Sequence, residues 1–454
     1  MSTKQKGNVL AIIVMILLFG MISFVTNLAS PMGDILKNQF TIPNWMGTLG
    51  VLMNFIAYAF MGIPAGNMLQ KYGYKKTALL AVIVGFVGVG IQTISGMVSV
   101  EGMPLLPFGV YLVGAFVAGF SMCMLNIVVN PMLNKLGGGG NRGNQLIQVG
   151  GSFNSLMGTA CIFLTGILIP NGIKNAVISD VFPLMYLALA IFALAFIVIL
   201  LTKIPENERA AAVKGEKSKY GPMSFRHFVL GAVCIFIYVG VEVGIPNVLQ
   251  KWLQNGGLEP QTEQVVAPAE ENGDNNDGSA TSAIEAIAGT VTATYWLLML
   301  VGRLLGAALG ARFSARKMLS FAATLGLALV VGAIFLDPAI AVNLPVFKGT
   351  EGFGMAMVPI NAALLVLCGL CTSVMWGGIF NLAVEGLGKY TEKASGIFMA
   401  LVCGGGILPF VQNWIVDLTG NYLVSYWLVV AGLAYMLFYA LVGSKNVNKD
   451  IPTE

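Results

Sequence analysis

Asn126 and Asn130 stand four residues apart inside a long apolar stretch, so on a helix they share one face. Gln148 and Asn154 follow in the next apolar stretch and can complete one polar patch with them. Further amides fall within apolar runs at Asn27, Asn54, Asn247, Asn361, Asn381, Gln412 and Asn413. An amide donates and accepts hydrogen bonds at once, and the hydroxyls of an uncharged polyol need both. A carboxylate or phosphate ligand would instead call for Arg or Lys at the same depth. Arg303, the nearest candidate, is expected toward one end of its helix, away from mid-depth. Trp296 and Trp376 are the most deeply placed indoles, and such rings stack on the apolar faces of sugars; plain packing explains Trp376 equally well. Glu242 is the one acid set deep in an apolar stretch, where it fits proton exchange or a buried salt bridge.

Other reactive patterns are weaker. Cys368 and Cys371 have CxxC spacing, but no second ligand pair accompanies them. All six cysteines lie in apolar runs, as small buried residues do. His227 is the only histidine, which leaves no His-based catalytic or metal cluster and argues against an enzyme. Gly137–Gly140, followed by Asn141-Arg142-Gly143, lacks the preceding strand and the following Lys-Ser/Thr of a phosphate loop, so it reads as a hinge. No metal or cofactor is expected.

The elements that position these residues follow from composition. The chain has 454 residues, 56% hydrophobic and 10% charged, against about 25% charged in soluble domains. Runs of roughly 20 apolar residues can each span a bilayer. Twelve are expected, at 8–31, 45–69, 76–98, 105–134, 145–169, 180–202, 226–252, 287–311, 317–336, 357–384, 393–416 and 422–443, numbered here as spans one to twelve. With both termini cytoplasmic, the outer side holds only Lys37, Lys174, Lys251 and Lys348 of the 25 basic residues, which agrees with the positive-inside rule. Trp45, Trp252 and Trp427 then read as interface anchors. The first apolar run is too long for a cleavable signal and lacks a cleavage site, so it is expected to be span one. The net charge of +4 follows this sidedness and gives no sign of nucleic-acid binding.

Residues 203–223 are charged and divide the chain into halves at 1–202 and 224–454. Residues 255–285 hold seven acids and no Lys or Arg, and are expected to form a solvated outer loop; a calcium site is disfavoured by poor ligand spacing. The halves echo each other. Asn130 to Gly137 resembles Asn381 to Gly388, and Asn27 and Pro31 align with Glu242 and Pro246. Such a duplication favours a transporter with its site between two bundles. The fold expected is therefore an all-α membrane protein of twelve helices in two pseudo-symmetric six-helix bundles.

Several ordered motifs sharpen this. They are Pro64-Ala65-Gly66 with Gly73-Tyr74-Lys75-Lys76, Asn130-Pro131 with Leu136-Gly137, Phe153-Asn154-Ser155, Tyr238-Val239-Gly240-Val241-Glu242-Val243, Tyr295-Trp296, Gly302-Arg303, Gly386-Leu387-Gly388-Lys389 and Ser395-Gly396. Together they resemble the fucose/galactose/glucose–proton symporter family of the major facilitator superfamily, nearly end to end. The resemblance implies alternating access to a central sugar site, usually driven by protons. Two departures matter. The family commonly carries a Glu where Asn126 stands and an Asp where Ser30 stands, and Asp34 substitutes for the latter only with a shift of helix register. An Asn cannot exchange a proton near neutral pH, whereas a suitably placed Glu can.

The expected site comprises Asn27, Asn126, Asn130, Gln148, Asn154, Glu242, Trp296, Trp376 and Asn381, with Glu242 and Asp34 as candidates for ion coupling. The expected function is secondary transport of a neutral monosaccharide across a bacterial-type plasma membrane by a monomer, coupled to protons or sodium. An uncoupled uniporter and a non-transporting sugar sensor of the same fold are the alternatives.

Overall fold

The computed structural model describes residues 3–40, 42, 44–98, 105–138, 140–169, 176–205, 220–258, 276–310, 312–348, 352–448 and 450–453. Most of the linker 203–223 and of the acidic stretch 255–285, with its calcium-loop alternative, lies outside the described residues, as do the side chains of Ser30 and Asp34.

Ten described segments are long and apolar enough to cross a membrane. One of them, Leu49–Ser95, has 47 residues, about 70 Å as a continuous helix and more than twice the hydrocarbon thickness. It turns at Gly73, whose φ of 81° favours glycine, so it supplies spans two and three. The helix Gly140–Leu168 adds span five; its amides lower its apolarity, yet it packs between spans one and eight. The others are Thr3–Phe40 (one), Leu106–Leu136 (four), Phe182–Leu201 (six), Arg226–Trp252 (seven), Asn276–Leu309 (eight) and Ala315–Phe335 (nine). Span ten is split into Ile360–Thr372 and Met375–Val384. Thr391–Ala400 and Gly404–Thr419 form span eleven, and Trp427–Phe438 begins span twelve. Twelve crossings put both termini on one face, called here the terminal face.

Residues between spans nine and ten form an antiparallel hairpin, β1 (Ala341–Phe347) and β2 (Phe353–Pro359), on the opposite face. The sequence there reads poorly as a strand pair because Pro345, Gly352 and Gly354 interrupt it.

The first six spans pack mainly on one another, as do the last six. The halves meet where span five lies on span eight and span two lies on span eleven. Membrane helices gain little from apolar burial against each other, so close backbone approach matters more. At Gly62 in span two a Cβ would sit 2.5 Å from the Ala400 nitrogen of span eleven, and at Gly396 it would sit 3.1 Å from the Gly62 carbonyl. The turn between spans four and five passes through Gly138 at φ 85°, which fits the expected hinge. All six cysteines are buried and free. Trp252, expected at the interface, is buried in the core instead, whereas Trp45 and Trp427 are exposed.

Gly62→Val should therefore wedge spans two and eleven apart, costing about 1–3 kcal/mol as overpacked sites do. Gly90→Val, in span three with nothing within 4 Å of where a Cβ would sit, should cost far less. Thermal unfolding of both purified variants in detergent checks this; equal melting temperatures would remove the tight contact.

Candidate functional site

Span one presents Phe19, Ile22, Ser23, Thr26, Asn27 and Pro31 to a cavity of about 190 Å³, and span seven presents Val239, Glu242, Val243, Pro246, Asn247 and Gln250. Both sets step by three and four residues, which is one helix face. The repeat-related positions Asn27 and Glu242, and Pro31 and Pro246, thus surround the same space. Tyr58, Asn126, Gln148, Gly151, Asn154, Thr292, Trp296, Arg303, Ser373, Trp376 and Val402 complete most of the wall, from spans two, four, five, eight, ten and eleven.

Proline shapes the wall of span seven. Pro246 lacks an N–H and so leaves the Glu242 carbonyl without its helical donor. The Tyr295 hydroxyl of span eight donates to that carbonyl at 3.2 Å and lies 2.9 Å from Thr372 Oγ1. Tyr238 donates to the Thr372 carbonyl at 3.0 Å. Tyr295 thus satisfies the backbone of span seven, and Tyr238 that of span ten at its break, where Ser373 and Trp376 reach the cavity. Irregular backbone survives at membrane depth only with such partners.

One expectation is corrected here. Arg303 is not confined to the helix end: its guanidinium lines the cavity and is buried. Nη2 donates to Glu242 Oε1 at 3.1 Å, an ion pair between spans seven and eight. Nη1 donates to the Gly151 carbonyl of span five at 2.5 Å and approaches Asn154 Oδ1 at 3.5 Å. A Cβ at position 151 would lie 3.3 Å from the guanidinium, so glycine leaves room for this approach. Arg303 thereby joins one half of the molecule to the other, and Gln145 does the same nearby, donating to the Ala307 carbonyl at 3.2 Å. These links lie on the terminal side of the cavity. Pro31, Thr165, Asn247 and Gln250 line its other end, toward the hairpin face.

The expected site residues divide into two groups. Asn27, Asn126, Gln148, Asn154, Glu242, Trp296 and Trp376 line the cavity. Asn130 and Asn381 lie outside that lining, nearer the terminal face. Asn130 donates to the carbonyl of Asn126 at 3.0 Å and to its Oδ1 at 3.3 Å. Asn126 donates to Tyr58 Oη at 3.0 Å and to the Met122 carbonyl at 3.1 Å. Asn154 donates to the Phe19 carbonyl at 2.7 Å, and Asn27 to that of Ser23 at 2.8 Å. No protein hydrogen bond reaches the side-chain amides of Gln148 and Gln250 among the described residues, and Thr292 Oγ1 is buried without a partner. The amides of Gln148 and Gln250 are therefore open to a solute, whereas the Thr292 hydroxyl is enclosed by protein. Other amides in apolar runs serve structure. Asn361 donates at 2.8 Å to the carbonyls of both Ala333 and Leu336, closing the end of span nine. Asn413 joins Asn247 and the buried Lys251, each at 3.0 Å.

Tyr58, Thr292, Gln250 and Arg303 were missing from the sequence-derived site. Gln250 was detectable as the next step of the Glu242, Pro246 stripe, and Arg303 stands seven residues after Trp296. Tyr58 carries no such signal, since a lone phenol in an apolar run usually reads as packing.

The profile of the Major Facilitator Superfamily matches residues 10–408 of this chain. Over 450 residues the chain is 27% identical to the glucose/galactose transporter of Brucella abortus, covering 98% of this chain and 97% of that protein. It is 22% identical over 447 residues to the L-fucose-proton symporter of Escherichia coli, covering 92% and 90%. Among solved structures, FucP in the outward conformation matches with a TM-score of 0.70 at 19% identity, over 97% of this chain and 100% of that one. The proton:xylose symporter XylE, bound to 6-bromo-6-deoxy-D-glucose, matches with a TM-score of 0.67 at 14% identity, over 98% of each chain.

Breaking the Glu242–Arg303 pair from one side strands a buried charge, at about 3–5 kcal/mol. Glu242→Gln and Arg303→Gln should each lower the melting temperature in detergent, and the double variant should recover much of the loss. Single variants as stable as the parent would mean that the pair is not a structural lock.

Proposed function

Because the chain belongs to the Major Facilitator Superfamily, we propose that it moves a neutral monosaccharide of the hexose or deoxyhexose class across a membrane by alternating access. The observation that carries this reading is the cavity between the two halves. It offers unpaired amides at Gln148 and Gln250 and two indoles at Trp296 and Trp376. Such groups can replace the water shell of a polyol and stack on its ring. Arg303 does not turn the site toward anions, because Glu242 beside it cancels its charge. The glucose/galactose and fucose relatives support the same substrate class.

The moving parts are the bundles 1–202 and 224–454, joined by the linker 203–223. The excess of basic residues assigns the terminal face to the cytoplasm of a bacterial-type plasma membrane, with the chain working as a monomer. The cavity then extends toward the outside, and the Arg303–Gly151 and Gln145–Ala307 contacts seal the inside. Opening inward must break those two contacts, while the Glu242–Arg303 pair can travel intact within one bundle.

Coupling to protons is favoured by the symporter relatives. Asn126 occupies a place where the family commonly has an acid, so among the described residues Glu242 is the cavity-lining group left to exchange a proton. Protonation removes its charge from Arg303 and frees that guanidinium to rearrange, which links the proton to the contact that seals the inside.

Uptake of labelled hexoses and deoxyhexoses into proteoliposomes tests this. Accumulation above equilibrium is expected under an inward proton gradient and not under a sodium gradient alone. Equilibration without accumulation would make the protein a uniporter, binding without movement would make it a sensor, and neither binding nor uptake would sink the sugar reading. Gln148→Ala should raise the half-saturating concentration about tenfold, the value of one hydrogen bond of about 1.4 kcal/mol, with normal membrane insertion. Unchanged affinity would remove Gln148 from the site. The Glu242→Gln, Arg303→Gln double variant should equilibrate sugar yet fail to concentrate it; retained accumulation would place the coupling group elsewhere.

A further inference from the structure

The hairpin β1–β2 has one face turned into the protein and one turned away. Val346, Ala356 and Val358 are buried, and the Phe347 N–H donates to Thr290 Oγ1 of span eight at 3.2 Å. The turn half of the outer face carries Phe347, Phe353 and Met355, which are 41%, 82% and 55% exposed, and the exposed Asn343 lies beyond them toward the start of β1. Phe347 pairs with Phe353 across the strands, their ring centroids 5.3 Å apart, and Pro345 pairs with Met355 beside them. Alternation along a strand normally sends polar side chains to water, so an apolar outer row needs an apolar cover.

Depth along the neighbouring helices identifies that cover. From Leu309, where span eight ends at the terminal face, to Thr290 is about 28 Å of helix. Span nine, Ala315–Phe335, has 21 residues, or about 31 Å. Each nearly equals a hydrocarbon thickness of about 30 Å. Two independent helices therefore place Thr290 and Phe335 at the far boundary of the bilayer, and the hairpin is bonded at that level. Exposed apolar residues also precede β1 at the same level: Ile340, Leu336 and Phe335, whose ring lies 5.9 Å from that of Trp427. Aromatic side chains concentrate at this depth in membrane proteins.

We propose that the outer face of β1–β2 lies in the lipid headgroup layer, with Phe347, Phe353 and Met355 inserted toward the acyl chains as an interfacial anchor beside spans eight and nine. Through these two helices the anchor fixes the tilt of the bundle 224–454 against the bilayer while the other bundle moves relative to it.

The test uses the full chain in vesicles of phosphatidylcholine and phosphatidylglycerol, spin-labelled at Phe353→Cys, Met355→Cys and, as a control in water, Lys445→Cys. The native cysteines are buried, and the unsubstituted protein measures any label they accept. Collision with oxygen, which enters lipid, is compared with collision with a water-soluble nickel chelate. The expected result is an oxygen-to-nickel ratio several-fold higher at 353 and 355 than at 445. A ratio equal to that at 445 would place the face in water and overturn the proposal. Low collision with both reagents, with spin–spin broadening between copies, would assign the face to a second copy of the chain and overturn it equally. Neither readout depends on sugar transport.

Discussion

A charge held away from water must be answered by another charge or by hydrogen bonds, and the Arg303 guanidinium meets that demand by drawing on two other helices. Glu242 of span seven supplies the charge, and Gly151 and Asn154 of span five supply oxygen atoms. Because span five belongs to the other half of the molecule, the same demand that neutralises Arg303 also closes one side of the cavity. The polar interior and the gate are therefore one piece of chemistry, and a change of charge at Glu242 reaches both.

The remaining polar groups obey the same rule in smaller ways. Pro246 releases a carbonyl and Tyr295 takes it up; span ten breaks and Tyr238 bonds its last helical carbonyl. Asn361 closes a helix end. After these needs are met, a few groups on the cavity wall are left over, notably the amides of Gln148 and Gln250. A binding site in a membrane is what remains polar once the protein has satisfied itself, and this separates Gln148 from Asn126, whose amide is already engaged with Tyr58, Met122 and Asn130.

Small residues let the halves come close enough for this. Gly62 and Gly396 bring spans two and eleven into backbone contact, and Gly151 admits the guanidinium. A Cβ at either kind of site would hold apart surfaces that must seal in one state and part in another. The glycines thus serve the packing and the movement together.

The sequence by itself determined the number of spans and the faint duplication that pairs Asn27 with Glu242 and Pro31 with Pro246, because long apolar runs and their repetition are carried locally by the chain. It also marked Glu242, since an acid in an apolar run has no local excuse. It did not determine which amides face solute and which face one another: Asn126 and Gln148 have similar local settings, and their roles differ because Asn126 meets Tyr58, which comes from another helix. Nor did it place Arg303, whose long side chain reaches from near a helix end to a partner 61 positions away. The β1–β2 hairpin escaped for a related reason, since its strands are held by a surface of span eight that no local pattern announces. Periodicity is a property of one segment, whereas the satisfaction of a buried polar group is a property of several segments at once, and only the tertiary structure decides it.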